Sequence, residues 1–329
     1  MSNDAVLGGG AGSARASATA TDGFVAQTGS ARQPAASDPE KGARGGNMVS
    51  PALVSPALVG YPGPVGSHSS AAAVLLAPEG TETEPLASFL AVVEATVAGE
   101  VALGVLPIEN SLHGPVGETH DLLYEAPLSI VAEVTLPIIH CVAAKSPIEL
   151  ADVRTLRSYP VAFDQCRDLI HSLHVAGLPS ATTADAAREV AGSDDPAEAA
   201  IASLDAARIF GLHVIAEDVG DRPAAFTRFV AVGPYTRVDV QNRCRTAIAF
   251  VTDHRPGALV GALQPFARHG LNLVQLVSRP IPHSTFRYRF DMIFDGHPLD
   301  HEVQTALVEM REWTREVRIF GSYAATGDH

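Results

Sequence analysis

The chain has 329 residues, a formal net charge of −14, and 46% hydrophobic but only 6% aromatic residues. That length allows two or three domains, and the negative charge argues against nucleic acid and anionic membrane surfaces as partners. The high aliphatic and alanine content with few aromatic residues suits an α/β protein, and no apolar run reaches membrane-spanning length. Three scattered cysteines without a CxxC pair predict a reducing cytoplasm with no structural zinc or disulfide framework.

Residues 1–57 form a predicted disordered tail. As far as about residue 47 they are rich in Ala, Gly, Ser and Thr without periodicity, so they offer too little apolar surface to offset the entropy of ordering. The segment also lacks the basic start and apolar centre of a secretory signal.

The folded region begins with a short predicted strand, 58–61, which runs into a turn rich in Gly and Ser and then into a helix, 70–76. A turn of this kind leaves backbone N–H groups free at a helix N-terminus, where they favour a carboxylate or a phosphate. Ser67 adds a hydroxyl donor to this turn. The alternative is that these residues only cap the helix.

A second candidate loop follows a predicted helix, 83–99, and a buried strand of the parallel-sheet type, 101–108. The strand leads directly into Glu109, Asn110 and Ser111. Polar residues just beyond the carboxyl end of a buried strand are where open α/β sheets bind ligands. The alternative is a polar loop with a helix cap.

Further strands are predicted at 128–136 and 138–143, and further helices around Gln165, from residue 181 and over 199–210. His140 falls inside the second of these strands, and we interpret a lone His in an apolar strand as a hydrogen-bonded core residue. A Thr is the predicted cap of the helix that starts near residue 181.

Residues 224–232 form one more predicted strand, ended by Gly233-Pro234. A hydroxyl and a guanidinium stand side by side in it, at Thr227 and Arg228. Because neighbours on a strand point to opposite faces, the two cannot both be buried passively in one core. The simpler interpretation is a Thr filling a strand position beside a surface Arg.

Residues 246–324 carry a different pattern, after a linker expected at 234–245 and before a short tail at 325–329. The order strand, helix, strand, strand, helix, strand over roughly 80 residues predicts a ferredoxin-like βαββαβ unit. The predicted strands cover 246–252, 272–278, 286–294 and 316–320, and the helices begin near residues 256 and 300.

Taken in order, these segments resemble a prephenate dehydratase with a C-terminal ACT regulatory domain, over residues 58–324. In the first part the resemblance rests on Gly63-Pro64-Val65-Gly66-Ser67, on 107–111 with Gly114 and Thr119, on Ser158, on Gln165-Cys166, on 182–187 and on Thr227-Arg228-Phe229. In the second part it rests on Pro256-Gly257-Ala258-Leu259, Leu271-Asn272-Leu273, Ser278-Arg279-Pro280 and Gly321-Ser322-Tyr323.

The resemblance implies two α/β subdomains of the periplasmic-binding-protein type over 58–233, with the active site in the cleft between them. It implies the decarboxylating dehydration of prephenate to phenylpyruvate in phenylalanine biosynthesis, without a metal or cofactor. Thr227 is the expected catalytic residue, as a hydrogen-bond donor to the departing hydroxyl. The expected substrate-binding residues are Arg228, Phe229, Ser67, Asn110, Ser111, Ser158, Gln165, Thr182 and Thr183.

Arg228 is the expected carboxylate ligand, since a guanidinium holds a carboxylate through two parallel hydrogen bonds. Strand alternation opposes this expectation, because it turns Arg228 away from Thr227. Glu109 is expected to orient the neighbouring loop rather than to touch a dianionic substrate.

The second domain implies an amino-acid effector, usually phenylalanine, bound between paired subunits of a homodimer or homotetramer. The expected effector-binding residues are Pro256, Gly257, Ala258, Leu259, Asn272, Ser278 and Arg279. The family usually has a Glu at the position of Val277, and its loss is expected to leave Ser278 and Arg279 without a partner. A weak response to phenylalanine is therefore predicted.

Three further positions depart from the family pattern. His68 stands where an aromatic residue is usual, Tyr159-Pro160-Val161 where His-Pro-Gln is usual, and Ala225 where Asn is usual. They leave two alternatives open, a relative that decarboxylates prephenate without aromatising it and a non-catalytic amino-acid-binding sensor. Thr227 favours dehydration, because an enzyme that retains the substrate hydroxyl has no use for it.

Overall fold

The computed structural model describes residues 58–221, 225–234, 243–281, 284 and 287–325. The predicted tail over 1–57, most of the predicted linker and the end of the chain from residue 326 lie outside this part. In the described part, none of the helices is long and apolar enough to cross a membrane.

The first stretch of chain alternates strands with helices. Its elements are β1 (Val59–Pro62), α1 (His68–Leu76), β2 (Thr83–Leu86), α2 (Phe89–Ala98), β3 (Leu103–Asn110), β4 (Gly114–Pro115), α3 (Gly117–Glu125) and β5 (Ser129–Ile138). The predicted helix over 83–99 is wrong at its start, because 83–86 pair in parallel with β1. The helix begins only after Ser88, whose hydroxyl accepts the N–H of Ala91 at 3.1 Å and so caps α2.

The next stretch builds a second sheet. Its elements are β6 (Cys141–Ala144), a 3-10 turn (Leu150–Asp152), β7 (Thr155–Ser158), α4 (Pro160–Gln165), α5 (Arg167–Leu173), β8 (Ala176–Pro179), α6 (Thr183–Gly192), β9 (Glu198–Ala202), α7 (Leu204–Ile209) and β10 (His213–Ala216). The helix predicted over 199–210 is wrong in its first half, where the chain forms β9. Every residue of β9 is buried, and the alanines that favour a helix in isolation here let α6 pack closely on the strand.

The chain then returns to the first sheet as β11 (Ala225–Gly233). The first sheet has the order β2-β1-β3-β11-β5, with β11 antiparallel to both of its neighbours. The second sheet has the order β10-β6-β9-β7-β8. Two crossovers, from β5 to β6 and from β10 to β11, join the two subdomains and leave a cleft between them. This arrangement confirms the predicted periplasmic-binding-protein-like fold.

The last part of the described chain forms the C-terminal unit. Its elements are β12 (Cys244–Thr252), α8 (Ala258–Arg268), β13 (Leu273–Pro280), β14 (Tyr288–Asp295), α9 (His301–Met310), a 3-10 turn (Arg311–Trp313) and β15 (Thr314–Ala324). Its sheet has the order β13-β14-β12-β15 with antiparallel pairing throughout. The predicted ferredoxin-like βαββαβ order is confirmed.

The two faces of the C-terminal sheet have different neighbours. One face packs on α8 and α9 through Ile248, Phe250, Met292 and Phe294. The opposite face, which includes Ala247, Ala249, Ile293 and Phe320, shares one apolar cluster with Leu106, Leu123 and Ile130 of the first subdomain. The C-terminal unit is therefore docked on the first subdomain by a continuous core.

The closest approach in this interface is made by Gly321 of β15. A methyl group placed on Gly321 would lie 2.2 Å from the carbonyl oxygen of Ile130 in β5. Gly321 also has a φ of +152°, in a region that favours glycine. Two backbones approach here at a distance that a side chain would prevent.

Buried charges join the same two surfaces. Glu133 of β5, whose side chain is fully buried, lies 2.5 Å from a guanidinium nitrogen of Arg245 in β12. On α3, His120 Nδ1 lies 3.0 Å from a carboxylate oxygen of Asp291 in β14. A buried pair of this kind makes the loss of one partner costly, so the docking geometry is specified by charge as well as by shape.

Candidate active site

A cleft lies between the two subdomains, with an inner cavity of about 330 Å³. Side chains from both subdomains line this inner lobe. Among them are the predicted residues Ser67, Asn110, Gln165, Thr182, Thr183 and Thr227. The fold thus brings together residues that the sequence places in separate loops at the ends of strands.

An outer lobe of about 500 Å³ adjoins the inner one. His113, Ile138, His140 and Gln165 line both, so the two lobes form one cleft. The outer lobe is also lined by acidic residues and one basic residue, namely Asp164, Asp168, Asp218, Asp221 and Arg167. Its entrance is therefore negatively charged.

Thr227 is the central polar group of the inner lobe. It is 8% exposed, and its Oγ1 accepts a hydrogen bond of 2.9 Å from the amide Nδ2 of Asn110. The orientation of that amide is determined, because Asn110 Oδ1 accepts the backbone N–H groups of Leu112 and His113, each at 3.0 Å. Among the described residues no acceptor takes the Thr227 hydroxyl hydrogen, so that hydrogen is available to a molecule in the lobe.

Two helix N-termini face the same lobe from opposite subdomains. Ser67 caps α1 by accepting the N–H of Ser70 at 3.1 Å, and Thr182 caps α6 by accepting the N–H of Asp185 at 2.9 Å. The first N–H groups of each helix have no partner within the helix, and the helix dipole makes both ends positive. The inner lobe is therefore suited to a ligand with two anionic groups.

Two histidines lie together at the junction of the lobes. The rings of His68 and His140 meet edge to face, with centroids 6.3 Å apart. Burial, and secondarily the neighbouring His140, lower the pKa of His68 to about 4. Burial also lowers the pKa of His140, against a smaller opposing effect of its hydrogen bond to Gln165. Both rings are neutral at pH 7.

Three predicted substrate ligands do not line the cleft. The Ser158 hydroxyl is fully buried and donates to the carbonyl of Ile201 at 2.7 Å. Phe229 is 2% exposed in the core of the first subdomain. The Ser111 hydroxyl accepts the N–H of Phe226 at 2.9 Å, which ties the Asn110 loop to β11. These three side chains are already occupied by hydrogen bonds or by packing in the core. They hold segments next to the cleft in place instead of lining it.

Arg228 also points away from the inner lobe, so the expectation that it holds a substrate carboxylate is corrected. Its guanidinium lies 3.2 Å from Glu109 and 4.0 Å from Glu133, on the face of β11 opposite to Thr227. The cause is the alternation of side chains along a strand. Glu109 thus pairs with Arg228, beside the loop that it was expected to orient.

The predicted effector residues lie in two groups on the C-terminal unit. Pro256, Gly257, Ala258 and Leu259 surround the start of α8, where Gly257 has a φ of +80° at the cap. Asn272 donates to the Asp295 carboxylate at 3.2 Å, and Ser278 is exposed. Their role in effector binding stays a prediction.

Arg279 has a partner, contrary to the expectation raised by Val277. Its guanidinium binds the Asp121 carboxylate of α3 through two hydrogen bonds, with Nε to Oδ1 at 3.2 Å. Val277 is 8% exposed and pairs across the sheet with Asp291, so its side chain faces the first subdomain and not the exposed side of Ser278. Arg279 therefore connects the C-terminal unit to α3, the helix of the first subdomain that follows the Asn110 loop.

The three cysteines take no part in the cleft. Cys141, Cys166 and Cys244 are free and buried, and burial raises the pKa of their thiols to about 11, 12 and 11 respectively. Among the described residues no cluster of His, Cys, Asp and Glu has the arrangement of a metal site.

Sequence reasoning missed His113, His140 and the acidic outer lobe. His140 was placed inside a strand, but it lies between β5 and β6 at a crossover of the two subdomains. This crossover runs beside the cleft, and His140 lines both lobes. Recognition of the crossover in the sequence would have identified His140 as a residue of the cleft.

Comparison with known proteins agrees with this geometry. The profile of the family described as prephenate dehydratase matches residues 59–236. The prephenate dehydratase of Mycolicibacterium gilvum is 37% identical over 280 residues, covering 80% of this chain and 90% of the relative. The chloroplastic arogenate dehydratase/prephenate dehydratase 2 of Arabidopsis thaliana is 34% identical over 275 residues, covering 80% and 72%.

A solved structure gives the same result for the fold. The prephenate dehydratase of Arthrobacter aurescens, in complex with L-Phe, matches with a TM-score of 0.75 and 31% identity, over 82% of this chain and 90% of the other. The family model covers the part of the chain that forms the cleft, and the relatives and the solved structure each cover at least 80% of the chain. The chain belongs to the prephenate dehydratase family and is an enzyme of that kind.

Proposed function

We propose that the enzyme converts prephenate to phenylpyruvate in this cleft, as a step of phenylalanine biosynthesis. The observation that carries the proposal is the Thr227 hydroxyl, which lines the inner lobe, is held by Asn110 and has its hydrogen left free for a ligand. The facing N-termini of α1 and α6 support it, because prephenate carries two carboxylates.

The reaction consumes one proton. The bond from the ring to its carboxylate breaks, and the electron pair enters the ring as carbon dioxide leaves. The C–O bond to the ring hydroxyl breaks, and that electron pair leaves with the oxygen, which takes a proton and departs as water. Thr227 donates its hydrogen bond to this oxygen as charge develops there, and the proton that completes the water comes from solvent.

Aromaticity of the product drives the step, so placement of the substrate matters more than the strength of an acid. The two carboxylates anchor the substrate at the helix N-termini, on either side of the lobe. Thr227 is 8% exposed, so few waters surround its hydroxyl, which strengthens the hydrogen bonds made there.

The test is purified protein with prephenate, followed by the ultraviolet absorbance of phenylpyruvate and by product mass. Formation of phenylpyruvate supports the proposal. A product that has lost carbon dioxide but kept the hydroxyl would support the non-aromatising alternative instead. Absence of any turnover would support a sensor.

A second candidate substrate is arogenate, in which an ammonium replaces the ketone of prephenate. The acidic outer lobe favours it, because Asp168 and Asp218 offer carboxylates to a cationic group at the edge of the substrate cavity. The other two carboxylates there are already engaged, Asp164 with the Arg167 guanidinium and Asp221 with the backbone N–H groups of Arg167 and Asp168. The test is to measure kcat/KM for prephenate and for arogenate with the same enzyme preparation. A higher value for arogenate assigns the enzyme to that substrate, and a higher value for prephenate rejects the acidic lobe as an ammonium site.

We propose further that phenylalanine regulates this enzyme through the C-terminal unit, in a homodimer or homotetramer in the cytoplasm. The support is the likeness to a relative whose structure holds L-Phe. Arg279 and Asp121 give a direct connection from this unit to α3, which follows the Asn110 loop. Titration of phenylalanine against the enzyme activity tests the regulation. Measurement of the molecular mass in solution tests the oligomeric state.

Replacing Val277 by Glu is expected to destabilise the protein rather than to restore tight phenylalanine binding. The new carboxylate would be buried directly opposite the Asp291 carboxylate of β14, on the same face of the sheet, and burying two like charges side by side costs about 1–3 kcal/mol or more. Leu276→Glu is the matched control, since Leu276 is 41% exposed on the other face. Urea unfolding and phenylalanine titration measure both variants. Tighter inhibition of Val277→Glu with unchanged stability would contradict this expectation.

Replacing Arg228 by Met is expected to change kcat/KM less than about threefold and to lower the free energy of unfolding by about 1–3 kcal/mol. The reason is that Arg228 neutralises Glu109 and the buried Glu133 instead of touching substrate. Arg228→Lys should recover part of the stability. A large rise of KM in Arg228→Met would return Arg228 to the substrate site.

A further inference from the structure

The turn that leads into α1 is held by a residue of the opposite subdomain. Ser203, at the start of α7, is 8% exposed, and its hydroxyl donates to the backbone carbonyl of Gly66 at 2.9 Å. The same hydroxyl oxygen accepts the N–H of Ala206 at 3.0 Å and so caps α7. One buried side chain therefore joins the second subdomain to the residue that directly precedes Ser67.

The backbone of Gly66 allows this close contact. Gly66 is buried and has a φ of +85°, in the left-handed region that favours glycine. A methyl group placed on Gly66 would lie 2.9 Å from the Cα atom of Ala206, which is backbone and cannot turn aside. The turn and α7 thus meet backbone to backbone, and the Ser203 hydrogen bond fixes their separation.

The start of α7 is in turn fixed to α6. Ala206 and Ala207 of α7 belong to one apolar cluster with Ala184, Ala187 and Val190 of α6. All five side chains are fully buried, and their small size lets the two helices pack closely. The N-terminus of α6 is therefore held at a constant position relative to Ser203.

These contacts connect the two ends of the inner lobe that suit anions. Ser67 caps α1 and Thr182 caps α6, and both line the lobe, from opposite subdomains, together with Thr227. The chain itself joins the subdomains at two crossovers, so the width of the lobe depends on contacts made across it. The contact between Ser203 and Gly66 is one of these, and it lies one residue from the cap of α1.

We infer that Ser203 is a positioning residue, which sets the distance between the N-termini of α1 and α6 and so adapts the cleft to a substrate with two carboxylates at a fixed separation. This inference rests on the function proposed above, in which each helix end binds one carboxylate. A ligand with two anchoring groups binds tightly only where both can be engaged at once. A ligand with one carboxylate needs one helix end, so its affinity does not depend on this distance.

The reaction provides two ligands that differ in this respect. Prephenate has one carboxylate on its ring and one on its side chain, and phenylpyruvate keeps only the second. Substrate and product therefore share a side chain but have two anchoring groups and one. A comparison of the two ligands separates a change of spacing from general damage to the cleft.

The first variant is Ser203→Ala, which removes the hydroxyl. We expect KM for prephenate to rise about 5- to 20-fold with kcat within about threefold, because an interaction lost equally from the bound substrate and the transition state appears in KM. The inhibition constant of added phenylpyruvate should stay within about twofold of its original value. Release of carbon dioxide measures turnover in both experiments, since added phenylpyruvate does not contribute to it.

Two further variants separate the contact across the cleft from the helix cap. Glycine caps a helix almost as well as serine, so Ser203→Gly removes the contact with little cost to α7 and should show the same rise of KM. Ser203→Thr keeps the hydroxyl and should recover most of the affinity. Ser88→Ala is the control, since it removes the exposed cap of α2 outside the cleft and should match the unaltered enzyme.

Each outcome decides the matter. A rise of KM in Ser203→Ala and Ser203→Gly that spares phenylpyruvate, and that Ser203→Thr reverses, supports the inference. An unchanged KM in Ser203→Gly, or an equal rise of KM and of the phenylpyruvate inhibition constant, overturns it while the proposed function stands. Loss of folded protein in both variants also overturns it, because Ser203 then has only a structural role. Failure of the unaltered enzyme to turn over prephenate overturns the proposed function and the inference together.

Discussion

Replacing Thr227 by alanine is expected to lower kcat for prephenate by about 10²- to 10³-fold, with KM within about threefold of its original value. The oxygen of the Thr227 hydroxyl is already held by Asn110 before substrate binds, so in the proposed mechanism its hydrogen can be donated to the departing oxygen without reorganisation. Its contribution therefore appears as the C–O bond breaks and not in the affinity for the ground state.

Thr227→Ser is the matched control, because it keeps the hydroxyl and removes only a methyl group. We expect it to retain a substantial part of kcat, reduced by the greater rotational freedom of a serine side chain. Steady-state kinetics at saturating prephenate measure both variants. A Thr227→Ala enzyme with nearly the original kcat would show that another group assists the departure of the hydroxyl.

The largest expected effect on stability comes from replacing Gly321 by alanine. The added methyl group would lie 2.2 Å from the Ile130 carbonyl oxygen, whereas a carbon and a carbonyl oxygen in contact are usually about 3.3–3.6 Å apart. Since the obstacle is backbone and not a flexible side chain, β15 must move away from β5 by about an ångström. We expect the free energy of unfolding to fall by more than about 3 kcal/mol, because the buried core and the Glu133–Arg245 pair separate with it.

Gly192→Ala provides the comparison for this variant. No atom lies within 4 Å of the position that a methyl group on Gly192 would take, so this change should be neutral or slightly stabilising. Denaturant unfolding measures both proteins. If Gly321→Ala is as stable as Gly192→Ala, the close approach of the two backbones is relaxed in solution and the interface is looser than its geometry implies.

The architecture was largely predictable from the chain, and the errors share a cause. The ferredoxin-like unit follows from the order of apolar strands, turns and helices, whereas the two-subdomain fold was predicted from the family resemblance. The helix expected over 199–210 begins with a strand, because alanine favours helices locally while tertiary packing decides its state in a sheet centre. Residues 83–86 form a strand for a similar reason, since pairing with β1 is not visible in local periodicity.

The lining of the cleft was predictable where a residue ends a strand or caps a helix. Asn110 ends β3, Ser67 and Thr182 cap helices, and all three line the inner lobe, since strand ends and caps carry a local pattern. Arg228 was assigned to substrate on its charge alone, and its two glutamate partners come from distant segments. His140 was missed for the opposite reason, since it has no local pattern of its own and gains its meaning from a crossover between sheets.

The alternation along β11 restricts how the gene for this enzyme can change. Consecutive residues of one strand serve opposite sides, with Thr227 in the cleft and Arg228 among the charges that lie towards the C-terminal unit. An in-frame insertion or deletion of a single codon within the strand would exchange the two sides, placing a guanidinium where the hydroxyl acts and a hydroxyl beside buried carboxylates. We therefore expect a change of one residue in the length of this strand next to Thr227 to impair the proposed catalysis and the docking of the C-terminal unit together.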